Sequence, residues 1–384
     1  MDFNSIRALK TAKNEQRQES TFIKYLVAGN NYYAFRTYLD LAAKFDQNVA
    51  LLSYDPLSLE SIVPKGPSTI RGEDNQRLFA ALYPDLDIEN KKVNSKFFKE
   101  QKFRDFNSRS KPETLMPGEH FFTKDAIDID LDTVLDLNVE AETFLKINEK
   151  RIVKRIKGIK DCHANDLFEN AHYEIQFTDG SRLQCEHLVW ANDPYSFYEM
   201  YQDKYNLKAS LIEAFEKMKG PTPLYVKFIF DKRVTDNLDT LFVPISHTHE
   251  WGHFVGEFKN GLSDPNKQEV EFVTFLDSEK VSKEHISKII RLLKRNLEKI
   301  FSNFSKINYE EFINFEDEYV CLNFDDISDI ESDQGLVNMS FVSNRAPMKN
   351  HRELGESFEY SYGKISHLTR GILSQKVFEK KHSL

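Results

Sequence analysis

One short stretch near the amino terminus constrains the fold of this chain more than any other. An apolar run from Tyr25 to Ala28 leads into Gly29, a stretch compatible with a helix follows at 34–44, and a second apolar run spans 48–53. A strand, a glycine turn, a helix and a second strand in this order predict a β-α-β unit with parallel strands. We therefore expect the chain to build an open α/β sheet.

The turn after the first strand matches most of a dinucleotide-binding pattern. In G-x-G-x-x-G/A, Gly29 takes the first place, Asn31 the second, and Ala34 the third, where alanine is accepted. The second glycine normally lets the backbone approach a pyrophosphate, and the side chain of Asn31 crowds that approach. Gly29, Asn30, Asn31 and Ala34 are the candidate cofactor-binding residues of this turn. The alternative is an ordinary buried strand before a core helix, with Gly29 as a plain turn residue.

Size and composition narrow the classes of protein that this chain can be. Its 384 residues can form two domains, and 40% hydrophobic with 29% charged residues is typical of a globular protein. The formal net charge of −9 argues against a nucleic-acid partner, because phosphate binding needs a basic face. No apolar run is long enough for a transmembrane segment, and residues 1–20 lack the apolar core of a secretory signal. With three widely spaced cysteines and no disulfide pattern, we expect a cytoplasmic location.

Strand and helix signals alternate along the rest of the chain. Buried strands are predicted from apolar runs at 224–230, 270–276 and 336–342, and shorter strands from the signals at 142–147, 151–159, 173–177, 183–185 and 188–192. Asp179 and Gly180 are a hairpin-turn signal. Ser282 is a helix N-cap candidate before apolar residues at helical spacing, and a final helix is expected at 355–373.

Three segments of this pattern resemble corresponding segments of the flavoprotein amine oxidase and phytoene desaturase group, which includes protoporphyrinogen oxidases. The first is the β-α-β unit around Gly29. The second, at 173–194, looks like the group's meander, in which an Asp-Gly hairpin leads to an apolar strand and an A-x-x-P ending. The third, Val342-Ser343-Asn344 with the following helix, is similar to the group's closing strand and helix.

The resemblance implies an α/β, Rossmann-like FAD/NAD(P)-binding fold with an inserted second α+β domain. The nucleotide-binding domain would be discontinuous and would comprise residues 21–72, 137–194 and 330–384. A domain for substrate or partner would comprise residues 73–136 and 195–329. Residues 1–20 would form a polar N-terminal extension.

The resemblance also implies site residues, and several of them depart from the group's pattern. Ser53 stands where the group has an acidic residue that binds the adenosine ribose, and Asn344 stands where it has the acid near the ribityl chain. Both are candidate cofactor-binding residues. Tyr225 matches the lysine that many of the group's amine oxidases carry near the flavin, and Lys227 lies two residues further on the same strand face. Tyr225 and Lys227 are the candidate catalytic residues.

The histidines that cluster most closely are His247, His249 and His253. On a strand, His247 and His249 would share a face, which makes the three residues weak candidates for metal ligands. The pattern of a zinc-binding HExxH helix is absent, and a loop that is exposed or lines a cleft is the favoured interpretation. We therefore expect no metal.

Two functions compete at this point. The altered pattern at Asn31, Ser53 and Asn344 favours a protein that has lost conventional FAD oxidase chemistry and acts as a binding or scaffolding protein with an unidentified protein partner. The alternative is an FAD-dependent oxidoreductase that acts on a small amine or an unsaturated apolar substrate. An NAD(P)-type ligand in place of FAD is a third option. The sequence leaves the formation of a homodimer open.

Overall fold

A computed structural model describes the parts of the chain that carry the fold. They are residues 21–30, 32–45, 48–53, 69–71, 76, 90–106, 124–128, 151–162, 170–217, 222–246, 251–261, 264–276, 281–315 and 336–342. The helices in these parts are α1 (Tyr32–Phe45), α2 (Pro194–Met200), α3 (Ala209–Lys217) and α4 (Lys283–Ile300), with short 3-10 helices at Lys204–Asn206 and Phe304–Lys306. None of the described helices has the length and apolar character needed to cross a lipid bilayer.

The strands of the described residues form three sheets. In chain order they are β1 (Thr21–Ala28), β2 (Val49–Ser53), β3 (Thr69–Arg71), β4 (Asn90–Lys92), β5 (Ser95–Lys99), β6 (Lys102–Asp105), β7 (Asp125–Asp128), β8 (Ile152–Val153), β9 (Ile156–Asp161), β10 (Tyr173–Phe177), β11 (Arg182–Trp190), β12 (Thr222–Phe230), β13 (Thr240–Pro244), β14 (His253–Asn260), β15 (Gln268–Leu276), β16 (Tyr309–Phe315) and β17 (Met339–Phe341).

The first sheet contains the β-α-β unit predicted from the sequence. Its strand order is β8-β2-β1-β11-β10-β9, and β1 pairs in parallel with both β2 and β11. The long strand β11 pairs antiparallel with β10 over its first half and parallel with β17 near its end. The helix α1 connects β1 to β2, as a parallel pair requires. The described strands therefore form a mixed sheet with a parallel centre and an antiparallel meander at one side.

Aromatic side chains fill the core on one face of the first sheet. Trp190 of β11 and Phe197 of α2 pack with their ring centroids 5.9 Å apart, and Phe341 of β17 lies 5.5 Å from Phe197. The helix α3 adds Phe215, which is fully buried against the same group. The indole Nε1 of Trp190 donates to the carbonyl oxygen of Asp193 at 2.9 Å, so its polar group is paired within the core.

The second sheet is antiparallel except at one pair of strands. Its order is β16-β12-β15-β14-β13-β5-β6, and only the pairing between β13 and β5 is parallel among the described strands. The helix α4 covers one face, where Ile289, Leu293 and Leu297 pack on apolar side chains of the strands. This spacing along α4 is the helical repeat expected from the sequence, and Ser282 caps the helix by accepting a hydrogen bond from the amide of His285.

The opposite face of the second sheet, here named the Tyr225 face, carries a smaller apolar cluster. In this cluster Tyr225 packs with Phe97, Phe242, Val255 and Val273, which are aligned across four neighbouring strands. A row of polar residues runs beside the cluster along the same face, and it consists of Ser95, Thr240, Glu257, Glu271 and Lys227. The second sheet therefore buries apolar side chains on both of its faces.

A third sheet of three strands attaches to the Tyr225 face. Its order is β3-β7-β4, with antiparallel pairing. The backbone amide of Thr69 in β3 donates to the carboxylate of Glu257 at 3.1 Å, and the hydroxyl of Thr240 donates to the same carboxylate. Glu257 is buried, and these bonds offset part of the cost of burying its carboxylate.

Most of the predicted strands and helices that the structure describes are present, and three predictions are wrong in detail. The strand predicted at 336–342 is only β17 (Met339–Phe341), because the chain turns at Asn338, whose φ is 56°. The single strand predicted at 151–159 is two strands, because the chain leaves β2 after Val153 and enters the meander at Ile156. The two strands predicted at 183–185 and 188–192 are one continuous strand, β11, because β1 pairs along its whole length. The strand predicted at 142–147 and the helix predicted at 355–373 lie outside the described residues.

The limits of the two predicted domains stay a prediction. The helix α2 begins at Pro194, the last residue of a predicted segment of the first domain, and both α2 and α3 pack in the core of the first sheet. The second sheet takes strands from both predicted segments of its domain, 73–136 and 195–329. The mixed α/β class and the presence of a second, largely antiparallel sheet agree with the fold class expected from the sequence.

His187 is a buried ionisable residue in the first sheet. It lies on β11, its ring is 6.1 Å from the ring of Tyr25 on β1, and one ring nitrogen is 3.1 Å from the hydroxyl of Ser340 on β17. Burial, with a smaller contribution from His172, lowers the pKa of His187 from 6.5 to about 4. The side chain is therefore neutral in the folded protein at neutral pH.

Replacing His187 with Gln is expected to reduce the loss of stability at mildly acidic pH. The folded-state pKa is below the ordinary value of 6.5, so the unfolded chain takes up the proton first, and the free energy of unfolding falls as the pH decreases from 6.5 to about 4. The contribution of His187 to this fall in the free energy of unfolding is at most about 3 kcal/mol. Urea denaturation at a series of pH values measures it, with each protein compared with its own stability at about pH 8. Parallel profiles for the two proteins would contradict the assignment.

Candidate nucleotide-binding site

The Gly29 turn lies at the carboxyl end of the central strand of the first sheet. The amide of Gly29 donates to the carbonyl oxygen of Leu52 on β2 at 3.0 Å. On the other side of β1, the amide of Ala191 donates to the carbonyl oxygen of Ala28 at 2.8 Å. The turn is therefore held between the ends of β2 and β11. In open α/β sheets, nucleotides bind at the carboxyl ends of the strands.

Gly29 has no room for a side chain. A Cβ atom at this position would lie 2.9 Å from the Cβ of Ala191 and 2.9 Å from the Cβ of Ala34. Both neighbours are attached directly to backbone, so neither atom can move away without a shift of β11 or α1. The first glycine of the pattern is thus required by the close packing of helix and strand, which is one of the roles that glycine has in dinucleotide-binding turns.

The residues after Gly29 lead into the first turn of α1. Asn30 is partly buried, and its Oδ1 atom is shielded from solvent with no hydrogen-bond partner among the described residues. Ala34 is fully buried against Gly29. Asn31 lies outside the described residues. The helix α1 is 14 residues long, and the free amides at the start of such a helix favour an anionic group.

Ser53 ends β2 beside the Gly29 turn. It is fully buried, and its carbonyl oxygen accepts a hydrogen bond from the amide of Lys154 at 3.1 Å. At this position a carboxylate would accept hydrogen bonds from the ribose of a bound adenosine, whereas Ser53 offers an uncharged hydroxyl. The structure therefore brings Gly29, Asn30, Ala34 and Ser53 to one end of the first sheet. Asn344 lies outside the described residues.

These residues fit the diphosphate of an FAD molecule better than its ribose. The turn supplies the close packing at Gly29, and the first turn of α1 presents backbone amides of the kind that favour an anionic group. At the ribose end, Ser53 supplies a hydroxyl that can donate or accept a hydrogen bond. Gly29, Asn30, Ala34 and Ser53 are thus the described residues that would hold the cofactor.

The candidate catalytic residues lie on the second sheet. Tyr225 is 6% exposed and belongs to the apolar cluster of the Tyr225 face. Lys227, two residues further along β12, forms an ion pair with Glu269, with 2.9 Å between the Nζ atom and the carboxylate oxygen. Lys227 is partly exposed, as a residue in contact with a substrate would have to be before binding. Tyr225 and Lys227 lie on the same face of β12, because they are two residues apart in the strand.

Of the three histidines that are weak candidates for metal ligands, the structure describes one. His253 is buried at the start of β14, and His247 and His249 lie outside the described residues. Within the described ranges, no three histidine, cysteine or acidic side chains are grouped as metal ligands.

One residue of the site was not selected from the sequence. Ala191 follows β11 and forms one wall of the space around Gly29. The A-x-x-P ending that contributed to the resemblance contains this residue. The signal in the sequence was a small residue directly after a buried strand. That this residue packs against Gly29 is known only from the fold.

Comparison with known proteins supports the fold. No protein-family model matches the sequence, and no curated protein matches it. Among solved structures, putrescine oxidase with bound putrescine gives a TM-score of 0.57 at 8% identity, covering 92% of this chain and 100% of that chain. A putrescine oxidase variant with redesigned cofactor binding gives 0.58 at 8% identity, covering 93% and 100%. An oxidoreductase from Methanosarcina mazei gives 0.58 at 11% identity, covering 91% and 100%.

At these identities the likeness shows the fold alone. The chain has the fold of putrescine oxidase and of the oxidoreductase from Methanosarcina mazei. The resemblance inferred from the β-α-β unit, the meander and the closing strand is therefore confirmed as a resemblance of fold. The loss of cofactor binding expected from Asn31, Ser53 and Asn344 stays a prediction.

Replacing Gly29 with Ala is expected to destabilise the protein by about 1–3 kcal/mol, because the added methyl group overlaps two Cβ atoms. A second substitution, Ala191→Gly, removes one of the two overlaps and should restore part of the lost stability in the double variant. Urea denaturation of the wild type, both single variants and the double variant measures the coupling between the two positions. Additive effects of the two substitutions would show that Gly29 and Ala191 do not pack against each other as described.

Proposed function

We propose that this protein is an FAD-dependent oxidoreductase of the amine oxidase type, acting on an amine or an unsaturated apolar substrate. The observation that carries the proposal is the Gly29 turn, which is packed too closely for any side chain and lies at the carboxyl ends of parallel strands. The fold shared with putrescine oxidase supports the same class of cofactor.

In this proposal, the residues of the first sheet bind and orient the cofactor. Gly29 permits close approach of α1 to the sheet, the start of α1 binds the diphosphate, and Ser53 contacts the adenosine ribose. The chemistry that bound FAD supplies is the acceptance of a hydride from the substrate. The protein contributes position, exclusion of water and a suitable electrostatic environment.

The Tyr225 face is the proposed wall of the substrate site. Its apolar cluster offers aromatic and aliphatic surface, and the row beside it offers charge through Lys227 and Glu271. An amine carries a positive charge at neutral pH and is attracted by carboxylates, of which Glu269 already pairs with Lys227 at 2.9 Å. Putrescine is the amine bound in one of the matched structures, and we propose a small amine of this kind as the first substrate to test.

The wild-type protein is expected to bind FAD, and Asn31→Gly is expected to bind it more tightly. The substitution restores the glycine that lets the backbone approach a pyrophosphate. Visible absorption spectra of the purified proteins, recorded before and after incubation with excess FAD and removal of unbound FAD, measure the bound flavin. If both proteins remain colourless, the proposal is wrong, and the binding or scaffolding function expected from the sequence takes its place.

Lys227→Met is expected to lower the rate of amine oxidation about tenfold or more, in line with the usual contribution of a residue that handles a proton or orients the substrate. Bound FAD, measured by its absorption, should be unchanged. Oxygen consumption with putrescine measures the rate. The control is Lys232→Met, which removes the same charge from an exposed residue just after β12. Equal losses in the two variants would exclude a specific role for Lys227.

A further inference from the structure

The strand β16 forms one edge of the second sheet. It pairs antiparallel with β12 in an unbroken register from Tyr309 to Phe315, and among the described strands it has no neighbour on its outer side. The amide of Asp231 donates to the carbonyl oxygen of Asn308, which fixes the alternation of hydrogen bonds along this pair of strands. The even-numbered residues of β16 therefore point their backbone groups at β12, and the odd-numbered residues from 309 to 315 point theirs outwards.

The opposite edge of this sheet, β6, has features that prevent edge-to-edge pairing. It is four residues long, and two of these residues are the cations Lys102 and Arg104. The strand β16 is seven residues long and contains no lysine, arginine, proline or bulge. Short length, cations and bulges are the usual means by which a protein protects the edge of a sheet. Of these two edges, β16 is therefore the one suited to accept a further strand.

Two large apolar side chains of β16 are exposed. Phe312 is 49% exposed and Ile313 is 51% exposed. They lie on opposite faces of the sheet, Phe312 beside Lys227 on the Tyr225 face and Ile313 beside Val226 on the face that α4 covers. A strand added at this edge would cover part of both side chains and would pair the outward backbone groups.

The sequence of β16 is complementary to itself when a second copy runs antiparallel about a two-fold axis at Phe312. This axis pairs all seven residues of the strand, with Phe312 opposite its own copy and Tyr309 opposite Phe315 on both sides of the axis. The residues that would exchange hydrogen bonds in this register are the odd-numbered ones, whose backbone groups point outwards. The side chains of the two Phe312 residues would then lie in a pair without hydrogen bonds, in which side chains come closest.

The charges of β16 are compatible with the same register. Glu310 would lie opposite Asn314, and Glu311 opposite Ile313, so that no carboxylate is directly opposite another. Glu311 is in addition paired with Lys294 of its own chain. An axis at Glu311 would place two carboxylates opposite each other, and like charges in this position destabilise a pair of strands. The charges therefore favour the axis at Phe312.

We propose that two copies of this chain associate through β16, antiparallel about a two-fold axis at Phe312, so that their second sheets join into one. A two-fold axis closes the assembly at two copies and leaves the β16 edge covered in both. Because Phe312 lies beside Lys227, the interface borders the Tyr225 face. The proposal concerns the assembly of the chain and does not rest on the proposed function.

The mass of the full chain in solution is the first test. Sedimentation equilibrium over a range of protein concentrations should give twice the 44.9 kDa of one chain. Phe312→Lys places two cations opposite each other at the axis and should raise the dissociation constant of the dimer about tenfold or more. Tyr205→Lys is the matched control, because it replaces another exposed aromatic side chain, and it should keep the wild-type dissociation constant.

A cysteine at the axis tests the register. In an antiparallel pair without hydrogen bonds the two Cα atoms are about 4.5 Å apart, a distance that a disulfide can span. Oxidation of the Phe312→Cys variant should therefore link two chains covalently. Glu310→Cys is the control, because the two copies of residue 310 would be four positions apart along the paired strands, out of reach of a disulfide. The wild type, oxidised in parallel, measures any linkage through the native cysteines.

The outcomes distinguish this interface from others. A monomer at every concentration would overturn the proposal, as would a dimer that Phe312→Lys leaves intact and Phe312→Cys does not link. Assemblies that grow beyond two copies would also overturn it, because they indicate pairing of unlike edges, such as β6 with β16. Covalent dimers with Phe312→Cys and none with Glu310→Cys or the wild type would support it, even if Phe312→Lys does not fold. FAD binding and amine oxidation are separate measurements, so the proposed function can fail while this interface stands.

Discussion

The contact of Gly29 with Ala191 and Ala34 is the constraint on which the rest of the structure depends. It fixes the distance between α1, the central strand β1 and the end of β11, with Cβ atoms that have no freedom to move. Because β1 pairs in parallel with strands on both sides, any shift at Gly29 would be transmitted to β2 and β11 together. The same contact requires that position 29 carries no side chain, next to the start of α1, where a nucleotide's diphosphate is expected to bind.

The second sheet buries apolar side chains on both of its faces. One face packs on α4, which explains the helical repeat of Ile289, Leu293 and Leu297. The other carries Tyr225 and its aromatic neighbours beside a row of charged and hydroxyl side chains. An apolar surface bordered by a few polar groups is the usual composition of a small-molecule site, and for this reason we propose that the substrate binds at the Tyr225 face.

The two ends of the candidate nucleotide site differ in what they require of the chain. At the diphosphate end the requirement is steric, and Gly29 meets it. At the ribose end the requirement is electrostatic, and here β2 ends in Ser53, which is buried and uncharged. A protein can keep the steric requirement at the diphosphate end, and with it the fold, while the charge at the ribose end changes. This is possible because the packing does not depend on the sign of a charge at the edge of the sheet. The fold therefore limits the class of ligand without determining the ligand itself.

The sequence by itself determined the β-α-β unit, the buried strands and the capped helix α4, because these depend on local periodicity, a glycine and a cap at Ser282. It also located Gly29 and Ala34 through their spacing. Only the tertiary structure showed that Ala191 closes the space around Gly29, that β11 is one continuous strand, and that Val153 of β8 pairs with Ser53. Each of these facts depends on the pairing of strands that are far apart in the sequence, and local patterns do not encode such pairing.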